Sequence, residues 1–225
     1  MAIIEEIVSE QDTKQTATAP EQDEDGDVFY DSNEYTAEEF EAMSKEAQEY
    51  KQAGNELFAK AKYEDAVEKY ENALVACPAS QTKERAIYFG NIAACYLKLG
   101  KYKDAKDAAT SALKLDPSYT KVILRRAQAN EKIGSYTSLS DSLEDYRKLA
   151  KQPDLDVYTK RECARAETRL PPLIKLQMEK EKEEMMGKLK DLGNTLLGKF
   201  GLSTDNFQFQ QDPNTGSYSV NFVNK

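Results

Sequence analysis

Lys51 and Asn55 stand four residues apart, Lys121 and Arg125 repeat that interval further along, and Asn91 lies between the two pairs. An interval of four puts two side chains on one face of a helix. All five present N–H donors, and three carry a positive charge with no acceptor of their own. The ammonium groups supply charge, the amides directional donors, and the guanidinium a planar fork that fits a carboxylate or a peptide carbonyl. A peptide ending in Asp offers two carboxylates close together, so this set is suited to capture of an acidic C-terminus. Lys121 and Arg125 are also a like-charge pair at i, i+4, which costs about a few tenths of a kcal/mol unless an anion relieves it.

Five residues spread over so long a stretch need a scaffold that stacks their helices in register, and an internal repeat supplies it. Residues 47–80 and 86–119 align without gaps over 34 positions. They share an aromatic at the fourth place (Tyr50, Phe89), a small residue at the eighth (Gly54, Ala93) and Tyr63 and Tyr102 at the seventeenth. Ala66 and Ala105 follow at the twentieth, Ala73 and Ala112 at the twenty-seventh, and Pro78 and Pro117 at the thirty-second. Small residues let antiparallel helices approach, aromatics fill the gaps between them, and the prolines end the second helix of each pair. A third unit, residues 120–153, keeps Ala127, Gly134 and Tyr136, while Leu139, Leu143 and Tyr146 depart from the pattern in its second helix. Between units one and two, Gln81 to Arg85 add five residues, most simply one more helical turn and a longer connection.

This pattern resembles the tetratricopeptide repeat, and Lys51, Asn55, Asn91, Lys121 and Arg125 match the dicarboxylate clamp of that family's co-chaperone members. The resemblance implies an all-α solenoid of three helix-turn-helix units at residues 46–153, with the first helix of each pair lining a concave groove. It further implies a groove that binds the C-terminal Glu-Glu-Val-Asp peptide of ninety- and seventy-kilodalton heat-shock chaperones. Lys98, one face further round, is expected to assist with upstream acidic residues of such a peptide. The runs Met186 to Asn194, Phe200 to Phe207 and Thr215 to Phe222 resemble one member of the family in particular, which implies a cytosolic adaptor with small GTPases or G-protein α subunits as further partners.

The flanks read as follows. Residues 154–172 are expected to form a capping helix, with Val157, Cys163, Ala164 and Leu170 available for packing and Pro171-Pro172 breaking it. Residues 173–200 read as a long charged helix whose apolar positions Met185, Leu189, Leu192 and Leu196 form a stripe. That stripe either packs back on the repeats or receives a partner; the charged run Glu179 to Glu184 is solvated. Residues 201–225 alternate on either side of a turn at Asp212 to Gly216, a β-hairpin with Phe207, Phe209, Tyr218, Val220 and Phe222 on an apolar face that should dock somewhere.

Composition narrows the function. Of the chain's 225 residues, Met1 to Glu46 hold fifteen Asp or Glu against two Lys, about −13; with −9 overall, the remainder is about +4. Residues 1–45 therefore read as an acidic, disordered tail that competes with ligands for the positive groove. The chain has no His, which removes the commonest general base and metal ligand, and no Gly-rich phosphate loop. No enzyme, cofactor or metal site is expected. Cys77, Cys95 and Cys163 are odd in number and lack metal-ligand spacing, which points to a reducing compartment and a cytoplasmic location. Net acidity without basic clusters weighs against nucleic acid, and no run of apolar residues suits a membrane span or signal peptide.

Overall fold

The computed structural model describes residues 35–211 and 218–223. Seven helices lead into a two-stranded sheet: α1 (Ala37–Ala59), α2 (Tyr63–Ala76), α3 (Thr82–Lys98), α4 (Tyr102–Leu115), α5 (Thr120–Ile133), α6 (Tyr136–Ala150) and α7 (Val157–Gly198), then β1 (Phe207–Gln211) and β2 (Tyr218–Phe222). The chain divides into two units, Met1–Ala42 and Met43–Lys225. The described part of the first is the start of α1. There Thr36 Oγ1 accepts from the Glu39 amide at 3.2 Å, while the Thr36 amide donates to Glu39 Oε2 at 2.9 Å, a capping box. The acidic segment read as ending at residue 45 is thus helical from Ala37 onward, started by the Thr36-x-x-Glu39 signal. The expected disorder and competition of residues 1–34 lie outside the described residues.

The second unit is a stack of helix pairs. Tyr63, Tyr102 and Tyr136 each open the second helix of a pair. The small residues between them are fully enclosed: Ala66, Ala73, Ala93, Ala105, Ala112 and Ala127 have no exposed surface. α3 packs on α4, α4 on α5, α5 on α6, and α6 on α7, so one apolar core runs from Ala66 on α2 to Leu170 on α7. Leu139, Leu143 and Tyr146, which break the repeat pattern, are buried against it; there the core wanted volume instead of close approach. The inserted residues form the extra first turn of α3, which begins at Thr82, four residues ahead of Ala86. Arg126 ties α5 to α6 by two bonds to the buried Asp145 carboxylate, at 2.8 and 2.6 Å.

Pro171 and Pro172 do not break the chain into two helices; both lie inside the continuous α7. Each proline removes one amide donor, and the carbonyls left without it, on Glu167 and Thr168, belong to exposed residues that water can satisfy. On the opposite side Leu170 is fully buried and Ile174 packs on the core, which holds the helix through the prolines. Its N-terminus is capped by Asp156, whose carboxylate accepts from the Thr159 amide at 2.9 Å and hydroxyl at 2.6 Å.

Beyond Glu181, which accepts from the Tyr136 amide at 2.8 Å, α7 leaves the core. Met185, Leu189, Leu192 and Leu196 are between 56% and 69% exposed, so the stripe does not pack back on the repeats. The returning chain covers a neighbouring face instead: Asn194 Oδ1 accepts from the Thr204 amide at 2.7 Å, and Lys190 pairs with Asp205 at 2.9 Å. The two strands are antiparallel, pairing Phe207 with Phe222 and Phe209 with Val220. Phe207 and Phe222 meet edge to face at 5.6 Å between ring centres. Val220 and Phe222 are each 54% exposed, so the expected docking of the apolar face does not cover them; the sheet is held by Asn206, whose side-chain amide donates to the Val223 carbonyl at 2.9 Å. The turn read at Asp212 to Gly216 lies outside the described residues.

Candidate functional site

The five residues singled out from sequence fall on the first helix of each pair: Lys51 and Asn55 on α1, Asn91 on α3, Lys121 and Arg125 on α5. Their side chains are held in different ways. Lys51 is part-buried, lies 5.9 Å from the centre of the Tyr88 ring, and pairs with Glu84 at 3.3 Å. Asn55 is exposed, and its Oδ1 accepts from the Tyr70 hydroxyl at 2.7 Å. With the oxygen occupied, the Nδ2 group is left to present its two donors. Tyr70 reaches that position because Gly54 has no side chain; a Cβ there would come within 2.7 Å of the tyrosine ring. Burial pushes the Tyr70 hydroxyl up to about 12, so it remains a donor across the physiological range.

Arg125 is turned inward. Its Nη1 donates to the Gly90 carbonyl at 2.6 Å, which brings α5 against α3 beside Asn91. The approach requires Gly90: an added Cβ would stand 2.8 Å from Val122 Cγ2 and 3.5 Å from Arg125 Nη1. Burial lowers the Arg125 guanidinium below its ordinary value. The like-charge pair Lys121 and Arg125 is therefore eased in part by a carbonyl, and not solely by an arriving anion. Lys121 is exposed and, like the Asn91 side chain, has no hydrogen bond or ion pair among the described residues.

Next to this set a cleft of about 730 Å³ opens between α3, α5 and α7. Arg125 and Lys98 both line it, with Phe58, Leu97, Lys132 and Arg169. At its far end Arg169 Nη2 donates to Glu131 Oε2 at 2.9 Å, and the Tyr146 hydroxyl reaches the same oxygen at 3.4 Å. Sequence reasoning missed Tyr70, Glu84, Tyr88 and the Gly90 carbonyl. Tyr70 aligns with Ala109, so no repeated signal marks it. Glu84 sits in the insertion that the repeat alignment sets aside.

Chemically the site is a bank of donors and cations without a nucleophile. Burial raises all three thiols, Cys95 to about 11, which makes them inert packing residues. No group of side chains suited to a metal ion occurs among the described residues, and no described helix is long and apolar enough to cross a membrane.

A family model described as tetratricopeptide repeat matches residues 86–119. The chain is 32% identical over 163 residues to the mitochondrial import receptor subunit TOM70 of Saccharomyces cerevisiae, covering 72% of this chain and 22% of the receptor. It thus spans about a fifth of that relative's length. Among solved structures, the first TPR of Spaghetti (RPAP3) bound to HSP90 peptide SRMEEVD superposes with a TM-score of 0.50 at 25% identity, over 56% of this chain and 97% of that one. The first TPR domain of human RPAP3 gives the same TM-score at 24% identity, over 57% and 94% of the two chains, and speaks for the fold alone.

Proposed function

We propose that this chain, which carries a tetratricopeptide repeat at residues 86–119, is a non-enzymatic adaptor whose groove captures the acidic C-terminal peptide of heat-shock chaperones. The ligand is the free-carboxylate Glu-Glu-Val-Asp end of the ninety- and seventy-kilodalton classes. Lys51 and Lys121 supply charge to its two terminal carboxylates, Asn55 and Asn91 direct amide donors at them, and Arg125 engages a carboxylate or carbonyl at the mouth of the cleft. Lys98, on the cleft wall, meets acidic residues further upstream. The observation that carries the reading is the surplus of donors: Lys121 and Asn91 have no partner among the described residues, and Tyr70 holds the Asn55 oxygen. The similar first TPR of Spaghetti (RPAP3) is bound to an HSP90 peptide, which supports the same chemistry.

Charge-assisted bonds of about 1.5 to 3 kcal/mol each, set against the cost of ordering a short peptide, lead to micromolar affinity. Calorimetry with such a peptide should give that affinity, and amidating its C-terminus should abolish it. Lys121→Glu should likewise abolish binding; intact binding in that variant would show the clamp assignment to be wrong.

A second reading has its own observation. The apolar stripe Met185, Leu189, Leu192 and Leu196 of α7 is exposed outside the repeats, and a partner would cover it. On this reading the chain is a cytoplasmic signalling scaffold for small GTPases or G-protein α subunits. Nucleotide-dependent capture of a GTPase that survives Lys121→Glu and fails with Leu189→Glu would favour it.

A further inference from the structure

Among the described residues, one cation of the donor set is already paired: Lys51, with Glu84. Glu84 comes from Gln81 to Arg85, the five residues present between the first two repeat units and absent between the second and third. That inserted turn is built into place. Gln81 Nε2 donates to Ser44 Oγ on α1 at 2.6 Å, and Arg85 Nη1 donates to the carbonyls of Leu74 and Cys77 at 2.7 and 3.1 Å, closing the end of α2. The pair it presents is sheltered: the Lys51 side chain is 20% exposed and lies over the Tyr88 ring, while Glu84 is 39% exposed and faces outward enough to leave. Among the described residues, Lys121 has no such carboxylate beside it.

We propose that Glu84 is an internal competitor for the peptide's carboxylate. In the free chain it neutralises a part-desolvated ammonium; an incoming acidic end must displace it to reach Lys51. The inference rests on the clamp reading above. It makes the two halves of the site unequal: the Lys121 side accepts an anion directly, and the Lys51 side exchanges one carboxylate for another. The exchange lowers the net gain at Lys51, so the insertion tunes the affinity of the groove downward without altering any residue that touches the ligand.

Calorimetry of the full chain against a free-carboxylate peptide ending Glu-Glu-Val-Asp tests this with Glu84→Gln, Lys51→Ala and the double variant. A part-exposed ion pair is worth enough that Glu84→Gln should tighten binding by about two- to fivefold. In the Lys51→Ala background the same change should have no effect. Unaltered or weaker binding by Glu84→Gln overturns the proposal, as does tightening that persists without Lys51, which would be a general charge effect. Glu84→Ala, with thermal melting of every variant, guards against misfolding of any one. Should the wild-type chain bind no such peptide, the clamp reading falls and this inference with it; wild-type binding without the gain removes this inference alone.

Discussion

Tyr70→Phe removes one oxygen atom and separates the preparation of the site from its composition. In the free chain the Tyr70 hydroxyl donates to Asn55 Oδ1 at 2.7 Å. Asn55 is exposed, so its released oxygen finds water and no acceptor is stranded. The stability loss is therefore the net value of one hydrogen bond, about 0.5 to 1.5 kcal/mol. For a chain of this size that corresponds to a melting shift of about 2 to 4 °C per kcal/mol. The affinity loss has a different origin: the freed amide must be immobilised when the ligand binds, at about 0.5 to 1.5 kcal/mol for one side chain. That is about a two- to tenfold rise in Kd. Thermal melting and peptide calorimetry on the same protein measure the two quantities. In an Asn55→Ala background the affinity effect should vanish, because there is no amide left to orient. A Tyr70→Phe variant that melts lower yet binds as tightly as wild type, or whose affinity loss adds fully to that of Asn55→Ala, would refute preorientation by Tyr70.

Two further outcomes concern stability. Ala61 holds φ +57° at the turn where the second and third units place Gly100 and Gly134, at +72° and +74°; Ala61→Gly should relieve left-handed strain and, after the added freedom of the unfolded chain, stabilise by about 0.5 to 1 kcal/mol in thermal melting. The Thr159 hydroxyl and amide hold the Asp156 carboxyl below its ordinary value. Its contribution is thus present above the unfolded carboxylate range and is lost as pH falls through the folded value. Melting followed from neutral to strongly acidic pH should fall less steeply for Asp156→Asn than for wild type, with the two curves converging in acid.

Much of the fold was legible because the repeat encodes packing locally. Gly54, Ala66, Ala93 and Ala105 report how closely two helices must approach, and the tyrosines at the head of each second helix report the gap to be filled. The register of Lys51, Asn55, Asn91, Lys121 and Arg125 follows from the same pattern, since helical spacing places each on the first helix of its pair. Pro171 and Pro172 misled because their cost is local while the burial of Leu170 and Ile174 that offsets it is not. The α7 stripe has a readable period, but period does not say what covers it: the helix runs past the end of the core, so Leu189 and Leu192 remain in water.

The sequence by itself determined the helix pairs, their order and which helix carries each of Lys51, Asn55, Asn91, Lys121 and Arg125, because these depend on intervals of three to four residues and on one repeated length. Tertiary structure alone decided how the groups are held: Tyr70 on Asn55, Glu84 on Lys51, and Arg125 on the Gly90 carbonyl. Each of these joins residues on different helices at separations that no period repeats. A side chain's partner is set by where helices meet in space, and that is fixed by the packing of the whole stack.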